Sequence, residues 1–559
     1  MKNWSKGILL GAAFMLGSFA AVANDNLKLG VVPQPENIKL LKPLNDEQAK
    51  FVIDNDTIIV YDLGLENVAN YLHNFVRKSP YAMLLRTQKS TRKLNRKNII
   101  RLQILPEANE QCQAYQLKSD KDMVIISAKS PQGVFYGVQT LLQLMPTDVY
   151  SRDLKAKTIA KNIEIPSVKV NDAPLFKKFR GLHVDVSRHF RTKEEMFKII
   201  DWMAIHKLNT LQIHLTDDQG WRIEIKKYPK LVTVGGIGEN SHRRKGKTKY
   251  FTQEDIKDII AYAKSRYIKI IPEIDIPGHM EAAIRAYPEL GSPSDLRKHK
   301  RVIRDDEKGL EFVKNVLREV KDLFDPEYIH VGFDEVNLGS KKPIYTNKQI
   351  TAFARKVTQF LKNDLKVTPI VWDDAFEKGL DDDKDVLVHW WRTGLKHWWR
   401  GMSMAIDQKL QKYNQPYINS NSAFTYFDMK NVKEDKRGGQ WAGVMSVAEV
   451  YNHDVFADLK DYDPSKRDLM QGTIAATWSE TINDMPEFET RVFPRLAAFS
   501  ENTWALPKSL AKGNKPSWIE YRDCILIPKQ LERYKAMKIR YWGDAEKITK
   551  LPDVKKPNK

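Results

Sequence analysis

The segment Tyr328–Gly339, YIHVGFDEVNLG, ends a short apolar run in two adjacent carboxyl groups, Asp334 and Glu335. A carboxyl pair can divide acid–base work, one member holding a proton while the other stays charged. Where two carboxylates act from either side of a glycosidic bond they stand about 5 to 9 Å apart, which sequence neighbours do not obviously provide. Asp-Glu at a strand end also fits a helix cap or a solvated turn. The pair gains meaning from its company, because other short apolar runs end in similar residues. FRGLHVDV from Phe179 leads to Arg188, TLQIHLT from Thr210 to Asp217 and Asp218, and IKIIPEIDI from Ile268 through Asp275 to His279. TPIVWDD from Thr368 carries Trp372 and Asp373, VLVHWW from Val386 ends in Trp390 and Trp391, and PYINSN from Pro416 precedes Tyr426 and Asp428. GTIAATW from Gly472 ends at Trp478, with Glu480 just beyond.

Singly, each residue has a plain structural explanation, a tryptophan in the core or an aspartate capping a helix. Together they suit a sugar, whose C–H face stacks on indole while its hydroxyls need donors and acceptors. Trp372, Trp391 and Trp478 supply the flat faces, and Arg188, Asp428 and Glu480 are natural hydroxyl ligands. The histidines at 183, 189, 206, 214, 279 and 330 show no His-x-x-x-His spacing and there is no Cys-x-x-Cys, so neither a metal nor a cofactor is expected. A serine nucleophile elbow and a phosphate-binding glycine loop are absent from the sequence.

The elements that position these residues follow from the same runs. Eight of them, separated in most cases by amphipathic stretches such as TKEEMFKIIDWMAIHKL and TQEDIKDIIAYAKSRY, predict an α/β fold, a (β/α)8 TIM barrel over residues 173–505. In such a barrel the active site forms where the strands end. Residues 24–172 read as a smaller α+β domain, with AYQLKSDKDMVIISAKSPQGVFYGVQTLLQLMP giving strand, turn, strand, turn, helix. This domain carries no catalytic cluster and serves as support. Residues 506–559 predict a packing helix and a loose, Lys/Pro-rich tip.

Residues 1–23 place Lys2 and Lys6 before an apolar core ending in Ala21-Val22-Ala23, which predicts an export signal cleaved after Ala23 and no stable membrane insertion afterwards. No lipobox cysteine sits at that junction; Cys112 and Cys524 are expected to be structural or free. The formal charge of +20 suits acidic surfaces or polymers, yet no nucleic-acid-binding motif accompanies it. The densest basic loop, HRRKGKTK at His242–Lys249, is expected at the rim of the barrel mouth.

The segments RGLHVDVSRHF, MAIHKLNTLQIHLTDDQGWRIEIKKYPKL, YFTQEDIKDIIAYAKSRYIKIIPEIDIPGH, HVGFDEV and WSE resemble the β-N-acetylhexosaminidases of glycoside hydrolase family 20. AYQL and GVFYGVQTLLQL are similar to that family's non-catalytic N-terminal domain. The resemblance implies exo-hydrolysis of terminal β-linked N-acetylglucosamine, or N-acetylgalactosamine, from oligosaccharides or glycoconjugates such as chitin fragments. It also implies a substrate-assisted mechanism, in which the 2-acetamido oxygen of the sugar is the nucleophile. On that footing Glu335 is the general acid/base, Asp334 steers the acetamido nitrogen, and Tyr426 donates to the acetamido oxygen. Asp217 and His279 form a relay to the acid, Arg188, Asp428 and Glu480 bind hydroxyls, and Trp372, Trp391 and Trp478 wall the pocket. Two departures stand out: Phe333 where the family carries glycine, able either to narrow the pocket or to pack behind the strand, and His389 where many members carry glutamine. A non-catalytic carbohydrate-binding or polyanion-binding protein is the alternative.

Overall fold

The computed structural model describes residues 25–552, apart from 47–49, 91–95, 107–111, 154–161, 243–244, 293–300, 338–342, 381–382, 393–403, 460–461 and 506–514. The predicted export signal and the C-terminal tip from 553 therefore lie outside the described residues.

The first unit contains strands β1 (Asn37–Leu40), β2 (Lys50–Ile53), β3 (Ile58–Tyr61), β4 (Arg86–Lys89), β5 (Ile99–Ile104), β6 (Tyr115–Ser119), β7 (Met123–Ala128), β8 (Ile163–Pro166) and β9 (Val168–Asp172). Seven form one mixed sheet in the order β1-β9-β6-β7-β5-β3-β4, and β2 pairs with β8 apart from it. Helices Glu66–Arg77 and Pro131–Leu144 pack on the sheet. Ser130 caps the second of these by accepting from the Gly133 N–H, and every residue from Gly133 to Leu144 is buried. A helix apolar on all sides needs cover on all sides. Here the sheet covers one side and the barrel the other, where Tyr136 Oη accepts from Arg180 and Gln143 Nε2 reaches the Ile205 carbonyl. At the same joint Lys207 Nζ lies 3.0 Å from Asp172 Oδ2, which also accepts from Tyr115 Oη at 2.6 Å, while Trp504 Nε1 donates to Asp172 Oδ1. Both charged side chains are fully buried.

The second unit is the closed parallel barrel expected from the eight runs. Its strands are β10 (Phe179–Asp185), β11 (Thr210–His214), β12 (Lys269–Ile276), β13 (Tyr328–Gly332), β14 (Thr368–Trp372), β15 (Leu387–Trp390), β16 (Tyr417–Asn419) and β17 (Met470–Thr477), and β10 closes on β17 from Phe179↔Gly472 to Val184↔Thr477. Parallel strands covered on both faces read as nearly continuous apolar runs, which is why the sequence shows them. The stretches TKEE and TQED open helices Lys193–Ile205 and Gln253–Lys264 as capping boxes, Thr192 with Glu195 and Thr252 with Asp255. Phe179, Ile271, Tyr328, Ile370, Leu387, Ile418 and Ile474 fill one end of the barrel. The ends of the strands at the other end carry the polar residues.

The expected C-terminal helical stretch starts at Trp518 and winds through a π-helical segment, Tyr521–Gln530, before Leu531–Ala536. Pro528 lacks an N–H to donate within that segment, and wider winding accommodates it. Cys112 and Cys524 are both free, and no helix among the described residues is long and apolar enough to cross a membrane.

Candidate active site

The turn after β13 explains how two sequence neighbours reach one cavity. Gly332, Phe333 and Glu335 have φ of 67°, 71° and 47°, all left-handed. Such backbone costs a side-chain-bearing residue about 1–3 kcal/mol and survives where the surroundings enforce it. Gly332 tolerates no side chain, since a Cβ there would sit 1.7 Å from Asp275 Oδ1. The Phe333 N–H donates to the Ile276 carbonyl, and the ring is fully buried, 6.3 Å from the Phe353 ring. Phe333 thus packs behind the strand and does not line the cavity. With the phenylalanine turned outward, Asp334 and Glu335 both face inward.

The cavity at this mouth has a volume of about 300 Å³. Glu335, Asp334, His279 and Arg188 line it together with Trp372, Trp391, Trp478, Tyr426, Asp428 and Glu480. These are all of the site residues expected from the sequence except Asp217, which stands behind His279 at 3.1 Å from Nδ1. Trp390 and Trp391 part company: Trp390 packs among Phe376, Val388 and Tyr417 in a separate apolar cluster, while Trp391 turns to the cavity and donates from Nε1 to Asp374. The Trp391 and Tyr426 rings lie nearly parallel, 6.3 Å apart, and the indoles of Trp372 and Trp478 are 5.9 Å apart.

Sequence reasoning missed Trp441, an exposed indole at the rim set edge-on to Trp391 at 5.8 Å. It sits in GGQWAG, a stretch without periodicity, where only a lone aromatic among glycines signals it. Asp374 and Arg301 were also missed. Arg301 Nε stands 3.3 Å from Asp218, and its Nη2 is 3.2 Å from His279 Nδ1. Two residues before the basic loop, Asn240 reaches the rim, donating to the Arg188 carbonyl from its backbone and to the Glu480 carbonyl from its side chain. Arg243 and Arg244 lie outside the described residues.

A charge relay runs inward from the carboxyl pair. His279 Nε2 is 3.6 Å from both Asp334 Oδ2 and Glu335 Oε2. Burial opposes a charge on His279, but Asp217, Asp275 and Asp334 hold its pKa well above the ordinary value. Asp217 in turn is approached by Arg188 Nη2 at 2.7 Å and His214 Nε2 at 2.9 Å. Burial would raise Asp217, yet Arg188, His279 and His214 hold it well below the carboxylate range. Asp334 is different: burial pushes it up to about 6, with His279 opposing and Glu335 adding repulsion. The side chain of Asp334 is 11% exposed against 31% for Glu335, so Asp334 is the deeper acid. Burial, reinforced by Glu480, also raises Asp428 well above its usual range, and among the described residues its buried Oδ1 has no hydrogen-bond partner.

Below the mouth the barrel holds a polar layer built on Glu273. Its Oε2 accepts from Gln212 at 2.8 Å and its Oε1 from Trp372 Nε1 at 3.0 Å, with His183 and His214 at 3.3 and 3.2 Å. Burial opposes ionisation of Glu273, but the histidine cluster around it, in which the His214 ring is held charged, keeps it well below the usual range. Donor atoms of His183, His214 and Glu273, of His214, Asp217 and Asp275, and of Asp275, His279 and Asp334 come close enough together to surround a cation. Most of these donors already face one another as hydrogen-bonded or ion-paired partners, which fits proton sharing.

Two family descriptions match this chain: "Glycosyl hydrolase family 20, catalytic domain" over residues 177–507, and "Glycosyl hydrolase family 20, domain 2" over residues 28–173. A β-hexosaminidase of Porphyromonas gingivalis is 33% identical over 418 residues, which take in 70% of this chain and 51% of that relative, about half its length. Among solved structures, a Streptomyces plicatus N-acetyl-β-hexosaminidase in complex with Thio-NAglucal matches with TM-score 0.78 at 27% identity, covering 93% of this chain and 97% of the other. A Vibrio harveyi exo-β-N-acetylglucosaminidase in complex with N-acetylglucosamine matches with TM-score 0.77 at 26% identity, covering 92% and 78%. With the first description spanning the whole barrel and the second the sheet domain before it, the chain belongs to glycosyl hydrolase family 20.

Proposed function

We propose that the protein is an exo-acting β-N-acetylhexosaminidase that removes terminal β-linked N-acetylglucosamine from oligosaccharides such as chitin fragments, N-acetylgalactosamine being a second acceptable sugar. The observation that carries this reading is the box formed by Trp372, Trp391, Trp478 and Tyr426 against the Asp334–Glu335 pair. A flat, dry box beside an acid suits a sugar bearing a bulky planar substituent next to the reacting carbon. The complex of the Vibrio harveyi relative with N-acetylglucosamine supports the choice of sugar.

In the proposed reaction Glu335 gives its proton to the glycosidic oxygen as that oxygen leaves the anomeric carbon. The substrate's acetamido oxygen forms the new bond to the same carbon, which closes a positively charged oxazolinium ring. Asp334 faces the acetamido nitrogen and offsets the charge, while Tyr426 holds the acetamido oxygen. Water then attacks the anomeric carbon, gives a proton to Glu335 and reopens the ring, so the product keeps the β configuration. Glu335, the more exposed acid, is placed to exchange protons with leaving group and water. Arg188, Glu480 and the partnerless Asp428 oxygen suit the ring hydroxyls.

A panel of chromogenic β-glycosides with and without the 2-acetamido group tests this. Hydrolysis confined to the 2-acetamido sugars supports it; comparable rates on β-glucosides, or a glycosyl group trapped on a protein carboxylate, overturns it. Salt-dependent retention on heparin without any hydrolysis points instead to a polyanion-binding protein.

Trp441, exposed beside Trp391, suits stacking against the sugar on the leaving-group side. An aromatic contact of this kind contributes about 0.5–1.5 kcal/mol. Trp441→Ala is therefore expected to lower kcat/KM on a chitin trisaccharide by about 3- to 10-fold, leaving an aryl monosaccharide substrate nearly unchanged in steady-state assays. We further propose export after cleavage following Ala23, which N-terminal sequencing of the mature enzyme beginning at Asn24 checks.

A further inference from the structure

Trp372, one wall of the cavity, does not stand on its own strand alone. Its cross-strand partner in the barrel is His389, and the two rings stack at 4.1 Å with 16° between their planes. His389 is fully buried within the barrel. Its Nδ1 lies 3.3 Å from His330 Nε2, and its Nε2 2.5 Å from Ser420 Oγ. Ser420 Oγ donates to the Ile474 carbonyl at 2.6 Å, and at the other end His330 Nδ1 accepts from the Gly332 N–H at 3.1 Å.

The two ends of this chain fix every proton in it. A backbone N–H can only donate, so His330 Nδ1 is the unprotonated nitrogen and Nε2 carries the hydrogen. That hydrogen points to His389 Nδ1, which must accept, so His389 Nε2 carries the hydrogen given to Ser420. The Ser420 hydroxyl then gives its own hydrogen to a carbonyl, which can only accept. An added proton on either imidazole would set one N–H against another. Glu273 Oε1, 3.4 Å from His330 Nδ1, is the facing group that would favour such a proton, and it is already engaged by Trp372 Nε1. Burial lowers His330 to about 4 and His389 well below the ordinary value, and His183 on β10 and, for His330, His214 on β11 further disfavour an added proton from across the barrel.

We infer that His389 is a positioning residue, a neutral imidazole whose tautomer is dictated from Gly332 at the carboxyl-pair turn and which holds the Trp372 indole in register with Asp334 and Glu335. The inference deepens the sugar-pocket reading and rests on it. Hydrogen bonds from Gly332 through His330 to His389, and the stack of His389 on Trp372, then join the backbone that presents the acids to the wall against which the reacting sugar lies, fixing their separation. Misplacing a wall by about 1 Å can cost on the order of 100-fold in rate with little change in ground-state binding.

The test compares His389→Leu, which keeps bulk but breaks the chain, with His389→Gln, whose amide can accept from His330 and donate to Ser420. On a chromogenic β-N-acetylglucosaminide, His389→Leu is expected to lower kcat by about 10- to 100-fold while KM changes less than about threefold. His389→Gln is expected to recover most of that loss with a pH profile superimposable on wild type. Near-UV circular dichroism, with Trp372→Phe identifying the Trp372 band, should show the band displaced in His389→Leu and restored in His389→Gln. A folded His389→Leu enzyme with wild-type kcat and an unmoved band overturns the inference, as does failure of folded His389→Gln to rescue. Should His389→Leu not fold, Ser420→Ala cuts the chain one link later, and wild-type kcat and spectrum in that variant overturn it equally. The spectroscopic arm needs no turnover, so it judges the stacking even if the protein proves inactive on 2-acetamido sugars.

Discussion

Glu335→Gln is expected to lower turnover of a β-linked N-acetylglucosamine disaccharide by about 10² to 10⁴, the scale of losing a positioned general acid. The amide keeps the length of the side chain at the mouth and its approach to His279, so the loss reports protonation and not architecture. Substrates whose leaving groups depart unaided should be much less affected, with aryl glycosides bearing an acidic phenol retaining most of the wild-type first step. The second step still needs a base to activate water, so azide added to the variant should restore turnover on those substrates by supplying a nucleophile that needs none. Steady-state rates on an alkyl and an acidic aryl glycoside, with and without azide, measure both effects. Equal losses on the two substrates would remove Glu335 from the acid role.

Asp334→Asn is expected to separate activity from stability. In the proposed reaction its negative charge faces the developing oxazolinium, and removing one such preorganised group costs about 10² to 10³ in kcat. The same carboxyl is raised by burial to about 6, above the ordinary 3.8. A carboxyl with a raised folded-state pKa weakens the fold above that pKa and ceases to do so below its unfolded value. The weakening is thus complete above pH 6, fades between pH 6 and about 4, and amounts to roughly 2–3 kcal/mol at 1.36 kcal/mol per pKa unit. His279, Glu335, Asp374 and Asp275 face or neighbour Asp334, and the raised value is already the net of their attraction and repulsion together with burial. Asp334→Asn should therefore melt at a higher temperature than wild type at pH 7.5 and at nearly the same temperature at pH 4. In the wild type, kcat/KM should rise with pH through about 6 as Asp334 ionises, and this limb should be missing from the variant. Thermal melts at the two pH values and a kcat/KM profile check the three statements.

Much of this architecture was legible because a parallel barrel hides its strands on both faces, so eight apolar runs stand out even without alternation. The residues at the strand ends were legible for a related reason: an acid or an indole closing an apolar run has left the core and faces the mouth. What lay deeper was not. Glu273 and His389 sit within runs that read as plain strand, and only the register that sets Trp372 beside His389 and Glu273 beside His330 shows that they meet. Phe333 was undecidable from its type, since its direction follows from a left-handed φ that the sequence does not announce. Trp391 was legible as a cavity residue because it closes its run, while the burial of Trp390 one residue earlier shows only once the end of β15 is located. Trp441 and Arg301 come from long connections, where neither period nor strand end marks a residue.

The joint between the two units bears on how such a protein can be rearranged. A chain begun at residue 173 would lose Asp172 and Tyr115, and with them the acceptor that keeps Lys207 paired in a dry interface. It would also strip Tyr136 and Gln113 from Arg180. Under a replacement domain that covered this face without an acid, the unpaired buried cation would destabilise by several kcal/mol, comparable to the whole margin of a folded domain. Recombination that grafts this barrel onto another support domain therefore succeeds only if the donor brings an acid and a phenol to the same two places. The barrel carries the site, but the unit of inheritance is the pair.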